Sequence, residues 1–527
     1  GSDSAQNRRV AAEALGRIGD ASVIPAIFQQ LEQPNDRVLE HSLTYALIEI
    51  HDARAVASAL DLRERNPRVI RAALMALDQM DGGHVDEGKI IYYIRSTDPV
   101  LRDTAMWIAA RHPEQAAKYA RWVLSNVSSG TPRPLLSAMQ RLLAALSKSD
   151  EAADLMADMV ANPNQPIMSR RFVLNAMSES HLRQAPDSWV ESILKVLHMR
   201  SDVLIPDALD ALRQVHLPSG KNPQLADHLR SVSTRENLPA DVRVRALALI
   251  AGGPGKISDE QFELLTSQLD SQTPASQRLL AAQVLGRSHL SSDQLSRLAD
   301  ALKTAGPLEI EPLFTAWSHS KDDSVGMKLV DALKHAKSLT SLHPDVLQAR
   351  LSQFGPEVQK QGAALLSKLN PDAAAQQARL NQLLAHLPPG DIRRGQALFN
   401  SSRLACSTCH AIGYVGGNVG PDLTRVGATR APRDLLESIV FPGASFVQSF
   451  EPVMVITTSG DRQYGIPRRN DAEEITLITG PQQEVHIPRK DVQEVRAGTV
   501  SLMPAGFGDQ LSPQELGDLI AFLKACR

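Results

Sequence analysis

Four stretches of this chain carry one apolar pattern at near-constant spacing: Val10-Ala-Ala-Glu-Ala-Leu15, Val38-Leu-Glu-His-Ser-Leu43, Val69-Ile-Arg-Ala-Ala-Leu74 and Val100-Leu-Arg-Asp-Thr-Ala105. The steps between their first positions are 28, 31 and 31 residues. Asn35-Asp36, Asn66-Pro67 and Asp98-Pro99 introduce three of the four, and such pairs start helices after turns. The pattern returns less cleanly near Pro132, Pro166, Pro206, Pro239, Pro274, Pro312 and Pro356. Each unit reads as two amphipathic helices joined by a short turn. Neither helix can bury its apolar stripe alone, so successive units must stack. Residues 1–385 are therefore expected to form one helical solenoid.

This repeat resembles the HEAT family of α-solenoids in a short form. The resemblance bears on architecture and is silent on chemistry. Arg37, Arg68 and Arg102 at the repeat starts read as solvated or helix-supporting cations. His41, His51, His84 and His112 converge on no metal-ligand spacing. Lys plus Arg number 56 and Asp plus Glu 59, a net charge of −3. That balance gives no electrostatic reason to bind nucleic acid or an anionic membrane. With 43% hydrophobic and 22% charged residues the 527-residue chain is not a disordered polymer. Three cysteines cannot form a disulfide framework. No uncharged apolar run approaches the ~18 residues of a membrane-spanning helix. Gly1-Ser2 without an initiator Met reads as the start of a fragment or processed form, so an export signal or upstream domain is expected before it.

Pro388-Pro389-Gly390 breaks the helical pattern, and residues 386–527 are expected to form a second domain. A short amphipathic helix, Asp391 to Phe399, precedes Cys406-Ser407-Thr408-Cys409-His410. Two thiols three positions apart can each add across one vinyl group of a porphyrin, and the next His is then held beneath the iron. C-x-x-C-H is the attachment sequence of a c-type haem. At this Cys and His content a chance match is expected in roughly 1 of 2,000 such chains. A zinc site would lack a second ligand pair, and a thioredoxin-like dithiol would lack its βαβ context. One covalent haem c on Cys406, Cys409 and His410 is the reading adopted.

Such a haem needs a second axial ligand. Met503, in Ser501-Leu502-Met503-Pro504, is the candidate, because a thioether favours ferrous iron and raises the potential. It precedes a helix start in which Ser512 is the N-cap, Pro513 follows, and Glu515 closes a capping box. His486, Met454 or an open sixth position are the alternatives. Residues 451–498 change character. Val453 to Thr458, Gln463 to Pro467, Ile475 to Thr479, Glu484 to Ile487 and Val492 to Val495 read as five short strands, the first turning at Ser459-Gly460-Asp461. They suggest an inserted SH3-like barrel or curled sheet that docks a partner, shields the haem or is inert. Gly416-Gly417-Asn418-Val419-Gly420 follows no strand, which argues against a dinucleotide loop.

The order helix, C-x-x-C-H, loops, Met-Pro, helix resembles class I cytochromes c. The resemblance implies that the carbonyl of Pro421, in Gly420-Pro421-Asp422-Leu423, accepts the ring N–H of His410. It also implies that Gly395 and Phe399 meet Leu519 and Phe522. Arg425 is either a partner of a haem propionate or a solvated loop cation. Together with Phe441-Pro442-Gly443-Ala444-Ser445 and Tyr464-Gly465-Ile466, these motifs resemble the C-terminal haem-binding domain of large exported proteins of planctomycete and verrucomicrobial-type bacteria. Phe441 stands where that family commonly has Asp, and Cys526 is extra, read as a free thiol near the end of the last helix. In that family a β-propeller dehydrogenase module often precedes the HEAT repeats.

The fold class expected is thus mainly α: a HEAT-like α-solenoid followed by a class I cytochrome c-like domain with a small β insert. The function expected is electron transfer, not catalysis, between a dehydrogenase donor and an electron-accepting protein. Haem attachment chemistry places the chain in the periplasm or another extracytoplasmic space. A haem enzyme or gas sensor with an open distal site, and an interaction scaffold with a structural haem, are the competing readings.

Overall fold

The computed structural model describes residues 4–527 except 34, 62–65, 181, 183, 200–201, 216–222, 251–252, 343, 370–372, 459–461, 482 and 499–500. The chain separates into two compact units, residues 1–228 and 229–527. Residues 386–527 thus share a unit with the helices that run from 229 onward.

The first unit is helical throughout, and helices pack mainly against their second neighbours along the chain. That is the contact pattern of stacked helical hairpins. The polar residues ahead of each repeat act as N-caps. Asp36 accepts from the amides of Val38 and Leu39, Asn66 from Arg68, and Asp98 from Val100 and Leu101. Pro67 and Pro99 occupy first helical positions, where no amide is missed. Between the rows lies an Ala/Leu core that includes Leu47, Ala73, Leu74, Ala105 and Ala109. Small side chains let the rows approach closely, the physical use of an Ala-rich, aromatic-poor composition. Of the repeat-start arginines, exposed Arg68 pairs with Glu40 at 3.8 Å, and half-buried Arg102 donates to the Ser96 carbonyl at 3.2 Å. His112 bridges Asp78 and Glu114 at 2.7 and 2.8 Å, and the bond to Asp78 raises its pKa.

The second unit continues as helical hairpins. Three of them matter for the site: α1 (Ala275–Arg287), α2 (Ile310–Phe314) and α3 (Ala373–Ala385). The chain then forms α4 (Ile392–Phe399), α5 (Cys406–Cys409), α6 (Pro432–Val440) and α7 (Pro513–Ala525). Helices α4 and α7 cross closely. A Cβ on Gly395 would stand 2.0 Å from the Asp518 carbonyl oxygen, so only glycine permits the approach. The Phe399 and Phe522 rings meet beside it, 5.5 Å between centroids. Asp518 fastens the crossing. Arg394 grips it bidentately at 2.7 and 2.9 Å, and the Asp391 amide donates at 2.7 Å. The Arg394 guanidinium holds this buried carboxyl far below the usual carboxylate range. Helix α7 opens with Ser512 and Glu515 in a reciprocal capping box.

Between α6 and α7 lies a five-stranded antiparallel sheet: β1 (Val453–Thr457), β2 (Arg462–Asn470), β3 (Glu474–Gly480), β4 (Gln483–Pro488) and β5 (Val492–Ala497). The strand order is β4-β3-β2-β1-β5. Val455, Ile475, Leu477 and Ile487 form its buried face. The turn expected at Ser459-Gly460-Asp461 lies outside the described residues.

Candidate functional site

Ala405 enters α5 with a φ of 53°, a left-handed conformation unusual for a residue with a side chain. Cys406 to Cys409 then make a single helical turn, closed by the His410 amide donating to the Cys406 carbonyl at 3.0 Å. The following chain folds back over this turn. Gly417, Gly420 and Leu423 amides donate to the carbonyls of Ser407, Cys409 and Ala411 at 2.9, 2.9 and 2.8 Å. Gly420 lies against the imidazole: a Cβ there would stand 2.4 Å from His410 Cε1. The glycines that resemble a phosphate loop in sequence therefore act as packing surface for residues 407–410.

His410 Nδ1 donates to the Pro421 carbonyl at 2.8 Å. That bond fixes the tautomer and leaves Nε2, which has no hydrogen-bond partner among the described residues. Burial lowers the His410 pKa, partly offset by the Pro421 bond, so the ring is neutral at neutral pH and its lone pair is available. Both thiols are free. Burial pushes Cys406 up to about 12 and Cys409 to about 11, so neither is a ready thiolate nucleophile. Among the described residues no three His, Cys, Asp or Glu converge as a metal-binding group.

A cavity of about 990 Å³ adjoins this turn. Its volume is at the upper end of ligand pockets, which span roughly 300–1,000 Å³. Cys409 and Val419 line one part, and Val440 to Ala444 after α6 another. The segment Ser501 to Gly506 lines it too, bringing Met503 to the same space as Cys409 from 94 positions away. Met503 and Cys406 also pack on one apolar cluster with Leu398, Leu423 and Phe441. Met454 and His486 are not among the lining residues. Met454 pairs with Tyr464 and Arg496 across the sheet, and His486 lies 3.2 Å from the Thr476 hydroxyl. Arg425 is exposed and does not line the cavity.

Two further walls come from the sheet, for which shielding was one of the expected roles, and from the solenoid, which no motif marked. The sheet contributes Tyr464, Thr479, Gly480, Pro481 and Gln483. The solenoid contributes Leu279 and Gln283 of α1, Leu308, Glu311, Pro312 and Thr315 around α2, and Gln376 and Arg379 of α3. Direct bonds hold these walls in place. Arg278, buried in α1, donates to Glu309 at 2.8 Å, to the Thr273 carbonyl at 2.7 Å and to the Ser402 carbonyl at 2.9 Å. Ser341 donates to the Ala505 carbonyl, Gln510 to Ser338 at 2.8 Å, and Arg379 pairs with Asp509. Apart from the bonds of Arg278 to Glu309 and Thr273, these are tertiary contacts across more than 100 residues and carry no local sequence signal. A buried Arg at 278 and an Asp on the apolar face of α7 are the only hints, each a polar residue at a core position of its helix.

The residues present fit a c-type haem. Two neutral thiols stand three positions apart, a neutral imidazole is oriented by a carbonyl, and Met503 lines the cavity together with Cys409, whereas Cys406 and His410 are not among its lining residues.

The profile of the family described as HEAT repeats matches residues 1–78. With the stacked hairpins that follow, this defines an α-solenoid carrying a C-terminal sheet. No curated protein matches the chain. No helix among the described residues is long and apolar enough to cross a membrane.

Proposed function

We propose that residues 386–527 form a class I cytochrome c-like domain that holds one covalent haem c and transfers electrons, with the solenoid as scaffold. The observation that carries this reading is the C-x-x-C-H turn whose His410 ring donates to the Pro421 carbonyl beside a cavity shared with Met503. Cys406 and Cys409 would supply the thioether sulfurs, His410 Nε2 the proximal ligand and Met503 Sδ the distal one. When bound, the haem supplies one-electron iron chemistry. The chain's own residues do the rest. The Pro421 carbonyl orients the imidazole. Apolar groups around Val440 and Phe441 exclude water, and the neutral thioether adds no charge that would favour ferric iron.

The partners on this reading are a dehydrogenase that donates electrons, free-standing or upstream in the same polypeptide, and a redox protein that accepts them. Attachment needs reduced thiols and exported haem machinery, which places the protein in the periplasm or another extracytoplasmic space. Residues 386–527 act as an electron carrier on this reading, and any catalysis belongs to the dehydrogenase.

The test is direct. Protein matured in a host with haem-attachment machinery should gain the mass of one haem and give a positive pyridine haemochrome assay. Its oxidised spectrum should carry the weak far-red sulfur-to-iron band. Met503→Ala should keep the haem and lose that band. A bare polypeptide mass overturns the reading. An attached haem without the band, together with rapid carbon monoxide binding, replaces the carrier role by an open-site haem sensor.

A further inference from the structure

We infer that the solenoid, through Arg379 of α3, holds the carboxylate edge of the haem. The inference rests on the haem reading above and assigns the cavity's polar end. In a c-type haem the thioether bonds form at the vinyl edge, and the two propionates lie at the opposite edge of the ring. With the vinyl edge fixed at Cys406 and Cys409, the propionates must meet lining residues other than 406–410. Propionates are anions, and an anion placed against protein without a cation or hydrogen-bond donors is strongly disfavoured. Among the described residues that line the cavity the charged ones are Glu311, Arg379 and Asp509. Two of these are acids. Arg379 is the one cation.

Its position suits the role. The Arg379 side chain lines the cavity and is 49% exposed, so a charged group beside it keeps part of its hydration. It is already anchored by Asp509, which itself lines the cavity. A guanidinium has five N–H donors in a planar fork, enough to keep Asp509 and also receive a carboxylate. Asp509 lies six residues after Met503, on the segment that Ser341 and Gln510 also tie to the solenoid. One arginine thereby links the propionate edge, the Met503 segment and the last solenoid helix. Arg425, the cation suggested by the local motif, lies outside the lining.

The experiment uses the full chain with haem attached, in wild type, Arg379→Gln, Arg379→Lys and Asp509→Asn. Intact mass and the far-red band are read first. If wild type carries no haem, the parent reading fails and this inference is not what was refuted. With haem attached, Arg379→Gln should shift the propionate bending band in the resonance Raman spectrum and lower the midpoint potential, because a cation near the iron is gone. Arg379→Lys should restore the potential but not the bidentate Raman signature. Asp509→Asn should move the potential the opposite way, since it removes an anion and frees the guanidinium. If Arg379 served only to pin the Met503 segment, Arg379→Gln and Asp509→Asn would act alike, both weakening the far-red band. That outcome, or an unmoved propionate band in Arg379→Gln, overturns the inference.

Discussion

Gly420→Ala is the most searching single substitution at this site, because the damage can be worked out from distances. A methyl carbon at 420 would stand 2.4 Å from His410 Cε1, 2.8 Å from Nδ1 and 3.0 Å from Nε2. Carbon contacts settle at about 3.5 Å, so the ring must retreat by about 1 Å. The Gly420 amide is bonded to the Cys409 carbonyl at 2.9 Å, so its own backbone cannot easily give way. A retreat of that size takes the His410–Pro421 bond from 2.8 Å past the geometric limit. The lost bond costs about 1 kcal/mol and the overpacking about 1–3 kcal/mol more, so the second unit should lose about 2–4 kcal/mol. Native-state hydrogen exchange reads this at the Gly417, Gly420 and Leu423 amides. Gly413→Ala is the control: φ is +66° there, but no atom lies within 4 Å of the added carbon. It should cost about 1–2 kcal/mol of backbone strain and leave the imidazole untouched. In haem-loaded protein Gly420→Ala should weaken axial ligation and alter the far-red band, while Gly413→Ala should not. Equal exchange profiles and equal spectra for the two variants would refute the assignment of Gly420 as the residue that seats His410.

Two further outcomes follow from buried charges in the solenoid wall. Arg278→Met leaves Glu309 buried without its cation and should cost about 3–5 kcal/mol, whereas Arg278→Met with Glu309→Leu should recover most of that loss. Trp317, fully buried and the one tryptophan after residue 228, reports the second unit's unfolding by fluorescence in a background where Trp107, Trp122 and Trp189 are Phe; additive costs for the pair would contradict a coupled ion pair. Burial raises Glu311 from 4.5 to about 7, so the folded state binds the extra proton between those values. Stability of the haem-free protein should therefore be greatest below pH 4.5 for this group and fall by about 3 kcal/mol as pH rises to 7, a slope that Glu311→Gln should abolish. Urea titrations at pH 5 and pH 8 measure it, and an unchanged slope in the variant would assign the pH dependence elsewhere.

How far the sequence reaches depends on the range of the interaction. Caps and turns are local, so Asp36, Asn66 and Asp98 announced the repeat starts, and Ser512 with Glu515 announced α7. The five strands were readable from alternation, since each buries one face. The contact of His410 with Pro421 spans 11 positions and came from the motif's resemblance. What could not be read were contacts whose partners are chosen by the tertiary fold. Arg278 reaches Ser402 across 124 positions, and nothing in either neighbourhood marks the other. Pro388-Pro389-Gly390 marks a break in the helical pattern, whereas compactness follows contacts, and those group residues 386–527 with the helices from 229 onward. Arg425 stands close to the motif in sequence and is exposed, while Arg379, the cation that lines the cavity among the described residues, comes from a helix of the solenoid.

A spacer would need only length, but the solenoid helices of the second unit do two further physical jobs. Leu279, Leu308 and Pro312 give the cavity an apolar wall, and such a wall lowers the local dielectric around whatever charge changes inside it. Arg278, Ser338 and Ser341 tie that wall to residues on both sides of the site: Ser402 lies four positions before Cys406, and Ala505 two after Met503. A displacement of α1, or of the segment 338–341, would therefore be felt on either side of the site, at Ser402 or at Ala505. Were a haem held there as proposed, Met503, tied through Ala505 to Ser341, is the residue such a displacement would shift, and a partner that grips the solenoid would change how it is held. This route requires the Ser341–Ala505 bond, and Ser341→Ala should uncouple partner binding from any change in the far-red band.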